Sequence, residues 1–170
     1  MVPNYHAYQL QRLGVTITSD LSPSLHIQQI TTKAHQRAKS ILRCFMSGNV
    51  TLLVRAFVVC VRPLLEYNSI TWSPHLKQEI MMIEKVQRRF TKRLHGYTNL
   101  TYRDRLTKLA LPSLELRRLH LDLIYCYKIV CGLTKLNFSD FFEFSSLPTR
   151  GHAYKLYKSR SSNVRVIFCL

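Results

Sequence analysis

The chain has 170 residues, 46% hydrophobic and 20% charged, a composition that supports one packed domain burying roughly two-thirds of its unfolded surface and excludes intrinsic disorder. Its 25 Lys and Arg against 9 Asp and Glu leave a net charge of +16, so a polyanion is the first partner to consider. No membrane span is expected, because the longest nearly uncharged apolar run, Val50 to Val61, is short and interrupted by Arg55.

Taken in chain order, Leu13, Val15 and Ile17 alternate with Gly14, Thr16 and Thr18, which predicts a short β strand or hairpin arm. Ser19 to Pro23 supply turn chemistry, with Ser22 and Pro23 able to open a helix. From Leu25, the steps of three and four through Ile27, Ile30, Ala34, Ala38, Ile41 and Phe45 predict a long amphipathic helix stopped near Gly48, with Lys33, Arg37, Lys39 and Arg43 on its other face. A second helix from about Thr51 toward Leu65 is almost wholly apolar and is expected to be the most buried element, kinked or ended by Pro63. After a turn at Thr71-Trp72-Ser73-Pro74, a third helix runs from about Leu76 to Leu94 and closes at Gly96.

Tyr102, Leu106 and Leu109 mark a short fourth helix ending before Pro112. Ser113 caps a fifth, whose Leu116, Leu119, Leu123, Tyr127 and Val130 make an apolar stripe stopped by Gly132. Phe138, Phe141, Phe142 and Phe144 then read as a docking segment, followed by a loosely held basic tail with Arg150, Lys155, Lys158, Arg160 and Arg165, unless Val164 to Phe168 finds a sheet edge. The expected fold is mainly α: about five helices, a short N-terminal β arm and an irregular basic tail. Its parts are residues 1–20 (arm), 21–132 (helical domain) and 133–170 (aromatic segment and tail).

The third helix is the most informative stretch. At about 100° per residue, Ile80, Ile83, Gln87, Phe90 and Leu94 share an arc of roughly 80°, and Lys85, Arg88, Arg89, Lys92 and Arg93 share about 140° on the opposite side. Such a ridge suits successive backbone phosphates. Lys33 and Arg37 on the first helix repeat the arrangement more weakly. The acids are dispersed and sit where they offset bases, with Glu84 four residues before Arg88. Neither a two-metal carboxylate site nor a phosphate loop nor a nucleophile elbow is present, so no metal, cofactor or small-molecule substrate is expected. Cys44, Cys60, Cys126, Cys131 and Cys169 form no CxxC pair; they read as buried, reduced thiols, which favours an intracellular, cytoplasmic or nuclear setting.

Several strings, in order over about Leu10 to Gly132, resemble the C-terminal part of the reverse transcriptase of LINE-type, non-LTR retrotransposons of the jockey kind. They are Leu13-Gly14-Val15 with Asp20-Leu21 and His26-Ile27; Arg62-Pro63-Leu64-Leu65-Glu66-Tyr67 with Trp72-Ser73-Pro74; Ile83-Glu84-Lys85-Val86-Gln87-Arg88-Arg89; Tyr102-Arg103-Asp104-Arg105-Leu106; and Leu111-Pro112-Ser113-Leu114-Glu115-Leu116-Arg117-Arg118 with Asp122-Leu123 and Tyr127-Lys128-Ile129. The resemblance implies that the β arm is the last sheet element of a polymerase palm and that the helices form the thumb, which in that family grips template and primer. The family's catalytic aspartates lie upstream, and residues 1–12 contain none. The expectation is therefore a truncated fragment without polymerase activity that binds RNA or DNA backbone, an RNA/DNA duplex included, and pairs with a missing palm segment. The alternative is a basic helical protein-interaction module with no nucleic-acid role.

Overall fold

Gly14 lies at a φ of +78°, left-handed backbone that a side chain resists, and there the chain reverses. It joins β1 (Leu10–Arg12) to β2 (Val15–Ile17) as an antiparallel hairpin in the register Leu10 to Ile17 and Arg12 to Val15. The computed structural model describes residues 10–12, 14–19, 21–45, 48–74, 76–146 and 154–157. The expectations placed on Leu13, Arg150, Lys158, Arg160, Arg165 and Val164 to Phe168 lie outside these residues. Among the described residues seven α-helices follow the hairpin: α1 (Ser24–Cys44), α2 (Val50–Cys60), α3 (Arg62–Glu66), α4 (Ser69–Trp72), α5 (Lys77–Lys92), α6 (Tyr102–Lys108) and α7 (Leu114–Val130). The fold is mainly α. It divides at Arg118–Leu119 into two compact units.

In the first unit, α5 is the centre. It buries Ile83, Val86, Gln87, Phe90 and Thr91 almost completely, and Phe90 stacks on Phe57 of α2 at 4.5 Å between ring centroids. The α1 helix lies along α5 through Thr31, Ala34, Ala38 and Ile41, and the two alanines keep that approach close. The hairpin docks on the start of α1, where the Thr16 backbone N–H donates to Nδ1 of His26 at 3.3 Å. His26 in turn sits edge-on against Trp72, whose Nε1–H donates to the Tyr67 carbonyl at 2.8 Å.

Several expectations need correcting. The apolar α2 is not the most buried element: it buries only Leu53 and Phe57, and Val59 is 70% exposed. A short helix on the outside of a small domain has one neighbour-facing side whatever its composition, and the amphipathic α5, enclosed by α1, α2 and α6, takes the centre. The break after α2 falls at Val61, two residues ahead of Pro63, which stands in the first turn of α3 where its missing N–H costs nothing. The supposed turn at Thr71-Trp72 is the end of α4. Phe45 is the exposed residue following α1 rather than a core position. The thiols of Cys44, Cys60 and Cys131 are exposed and that of Cys126 is half-buried, because each falls on an outward helix face or a helix end.

The second unit holds most of α7 and the aromatic segment. A left-handed Gly132 ends α7: its N–H donates to the Ile129 carbonyl, and Leu133 N–H donates to that of Lys128. The stripe Leu116, Leu119, Leu123 and Tyr127 is 42–64% exposed; the buried face of α7 carries Leu114, Arg118 and Ile129 instead. Phe138 stacks on Phe144 at 4.2 Å, and Lys155 to Tyr157 pair with Glu143 to Ser145 across the Phe144–Leu156 bridge, which ties down that part of the tail. Among the described residues no helix is long and apolar enough to cross a membrane.

Replacing Ala34 by Leu should cost about 1–3 kcal/mol of unfolding free energy, because its fully buried Cβ lies in the α1–α5 seam and added carbons must displace packed atoms. Chemical denaturation followed by circular dichroism measures it.

Candidate nucleic-acid interface

The ridge begins with what α5 does with its acids. Glu79 and Glu84 are both buried on the inner side of the helix, and the Ser24 hydroxyl donates to Glu79. One oxygen of Glu84 accepts the Tyr102 hydroxyl, and the other accepts the N–H groups of Leu114 at 3.0 Å and Glu115 at 3.3 Å. Glu84 thus caps the N-terminus of α7, where unpaired amides and the helix dipole favour a carboxylate. It does not offset Arg88, as its spacing predicts. Three directed donors inside the protein outweigh one exposed pair worth a few tenths of a kcal/mol.

The rest of this network fixes the ends of α5, α6 and α7. The Gln87 side chain, fully buried, donates from Nε2 to the Tyr102 hydroxyl at 3.2 Å and to the Pro112 carbonyl at 3.0 Å. Burial, and then the hydrogen bond to Glu84, push the Tyr102 phenol well above its ordinary range, so it stays protonated. Its ring lies beneath Arg88, whose guanidinium carbon is 4.7 Å from the centroid, and Arg105 approaches it at 5.5 Å. Arg105 is buried and donates to Thr91 Oγ1 at 3.2 Å and to the carbonyls of Leu100 at 2.8 Å and Arg88 at 3.4 Å, which suits the negative end of α5. Tyr102 is therefore part of the scaffold and is not open for stacking on bases. Glu66 is consumed in the same way: Arg117 holds it through two guanidinium nitrogens, one at 2.9 Å, and Arg62 stands at 3.7 Å.

With these acids turned inward, the outer side of α5 is cationic. Lys85, Arg88, Arg89, Lys92 and Arg93 are all exposed, and among the described residues none pairs with a carboxylate. They span about 12 Å along the axis, and beyond Arg93 the chain turns around a concavity of about 560 Å³ lined by Arg93, His95, Thr98 and Asn99. The structure brings these five together, and it does not bring Lys33 and Arg37 to them. Arg37 donates to the Cys60 carbonyl at the end of α2, and Lys33 lies on the side of His26, whose pKa burial and then Lys33 lower. The α1 residue that faces the ridge is His35, half-buried, its pKa lowered by burial and then by Arg89 and Lys85. Its one sequence signal is its place between Ala34 and Ala38, which marks the seam but not the flank on which α5 lies.

Among the described residues no group of three His, Cys, Asp or Glu is placed to hold a metal ion. No protein-family model matches the chain. No solved structure matches it either. It is similar to an uncharacterized protein of Caenorhabditis elegans, 27% identical over 123 residues. That stretch covers 71% of this chain and 62% of the worm protein, so the match spans under two-thirds of that relative's length.

Replacing Glu84 by Ala should cost about 2–4 kcal/mol, since it orphans a buried hydroxyl and two helix-terminal amides; Tyr102→Phe should cost about 1 kcal/mol. Urea midpoints check both values.

Proposed function

We propose that this chain is a thumb-like element of a reverse transcriptase of the LINE type, which holds the sugar-phosphate backbone of a nucleic acid without reading its sequence and performs no catalysis itself. The observation that carries this reading is the ridge of five exposed cations on a helix whose own carboxylates are buried. Guanidinium and ammonium groups recurring at alternating steps of three and one along one flank suit successive backbone phosphates.

The placement of the strings that resemble the polymerase family also supports it, because they meet one another in space. Val15-Thr16, His26, Tyr67 and Trp72 form one cluster. Glu66 with Arg117, and Glu84 and Gln87 with Tyr102, Pro112 and Leu114, form a second. Chance matches scattered along a chain have no reason to converge on two hydrogen-bonded junctions. Buried residues of the resemblance are thus joints of the fold, and three of the ridge cations, Lys85, Arg88 and Arg89, belong to one of the same strings.

One observation favours a second reading, a protein-interaction module. Leu119, Leu123, Ile124 and Tyr127 of α7 are 43–64% exposed, an uncovered apolar face of the kind that docks another chain. That reading predicts self-association insensitive to salt.

Fluorescence anisotropy with a labelled RNA/DNA duplex separates the two. If about five phosphates are neutralised, log affinity should fall against log salt with a slope of roughly −4 to −5. Replacing Arg89, Lys92 and Arg93 by Glu should abolish binding with helix content intact, whereas Lys33→Glu should change affinity by no more than about twofold. Unchanged affinity in the triple variant sinks the proposal.

A further inference from the structure

The α1 and α5 helices start side by side, where Ser24 is bonded to Glu79, and run in the same direction along the Ala34–Ala38 seam. Eleven residues on from Ser24, His35 returns to within about 20° of the same side of α1 and so faces α5, where Lys85 and Arg89 act on it, and Lys39 follows one turn later, exposed. The flank of α1 bearing Arg37 packs toward α2 instead. One wall of the ridge is therefore lined by a second helix that presents an imidazole and an ammonium group. We propose that the polyanion site is a cleft between α1 and α5, in which one backbone phosphodiester is gripped by Lys85, Arg89 and the protonated imidazole of His35, with Lys39 on the next phosphate. The inference rests on the reading of the ridge as a phosphate-binding surface.

The chemistry follows from the groups that face His35. From α5 these are Lys85 and Arg89; its own helix adds Lys39; and among the described residues no carboxylate faces it. The hairpin docks on His26 and the end of α2 on Arg37, and no charged group of the hairpin, α2 or α3 is among those that act on His35. Without ligand, burial and then the neighbouring Arg89 and Lys85 disfavour the imidazolium. A phosphodiester seated between the same cations reverses the local field and stabilises the imidazolium, so binding takes up a proton from solvent and affinity rises as pH falls. The pH dependence of folding has the opposite sense. A histidine whose folded pKa is lowered contributes stability that is complete above about pH 6.5 and is lost as pH falls toward the folded value, so acid weakens the free protein while strengthening the complex.

The test uses the full chain and a labelled oligothymidylate at fixed ionic strength, between about pH 7.5 and pH 6, together with NMR titration of the His35 imidazole. Affinity should rise several-fold toward the acid end, up to the tenfold per pH unit that one full proton allows. His35→Gln should flatten most of that rise, and His35→Arg should bind tightly at both ends. Saturating oligothymidylate should move the His35 titration upward. If the variant lacking Arg89, Lys92 and Arg93 loses binding as expected while His35 titrates identically with and without ligand, the cleft is wrong and the ridge stands. If the wild type fails to bind at either pH, ridge and cleft fall together.

Discussion

The junction of α5 with α6 and the start of α7 depends on where Glu84 points. A carboxylate at this position has two options: to remain at the surface and neutralise Arg88 one turn away, or to turn inward and close the start of α7. The inward option gains three hydrogen bonds to a charged acceptor, two of them from amides that nothing else in the helix can satisfy. It costs desolvation of the carboxylate, which the positive end of α7 offsets. Once made, the choice brings α6 and α7 onto α5 through Tyr102 and Pro112 and removes the acid from the outer face. One interaction thus builds the three-helix junction and leaves the cations uncompensated.

This links stability to function in a particular way. Arg88 lies over the Tyr102 ring, so the same junction also orders one of the ridge side chains and reduces the entropy a ligand would have to remove from it. Arg105, by contrast, looks like a fourth-helix surface base in the sequence but is spent on the carbonyls of Arg88 near the end of α5 and of Leu100 just before α6. Basic residues in this protein therefore include two groups: those that hold carbonyls or carboxylates, Arg37, Arg105 and Arg117 among them, and those that stand along α5 without a carboxylate partner. A net charge of +16 does not distinguish the groups; hydrogen-bond partners do.

The α7 helix has a comparable division. Its first turn is anchored by Glu84 and by the Arg117–Glu66 pair, while its outer leucines remain in solvent. An apolar stripe predicts that a helix has a greasy side, and Leu114 and Ile129 show that burial can instead fall on the neighbouring side when the capping geometry sets the rotation. The same reasoning covers α2, whose valines and leucines are excellent core residues by composition and yet, Leu53 apart, are only half-buried or exposed because too few elements surround them.

Local chemistry sufficed for α1, α5, α6 and α7, the stop of α7 at Gly132, the glycine turn of the hairpin, and the opposed faces of α5, because periodicity and left-handed glycines act within a few residues. The gathering of Lys85, Arg88, Arg89, Lys92 and Arg93 was likewise legible, since one helix carries all five. Tertiary structure alone decided that Glu84 faces inward, that α5 rather than α2 is central, and that His35 rather than Lys33 or Arg37 borders the ridge. The physical reason is the same in each case: a helix specifies its own faces, but which neighbour covers a face, and which flank lies beside which, depends on rotations set by contacts between residues distant in the chain.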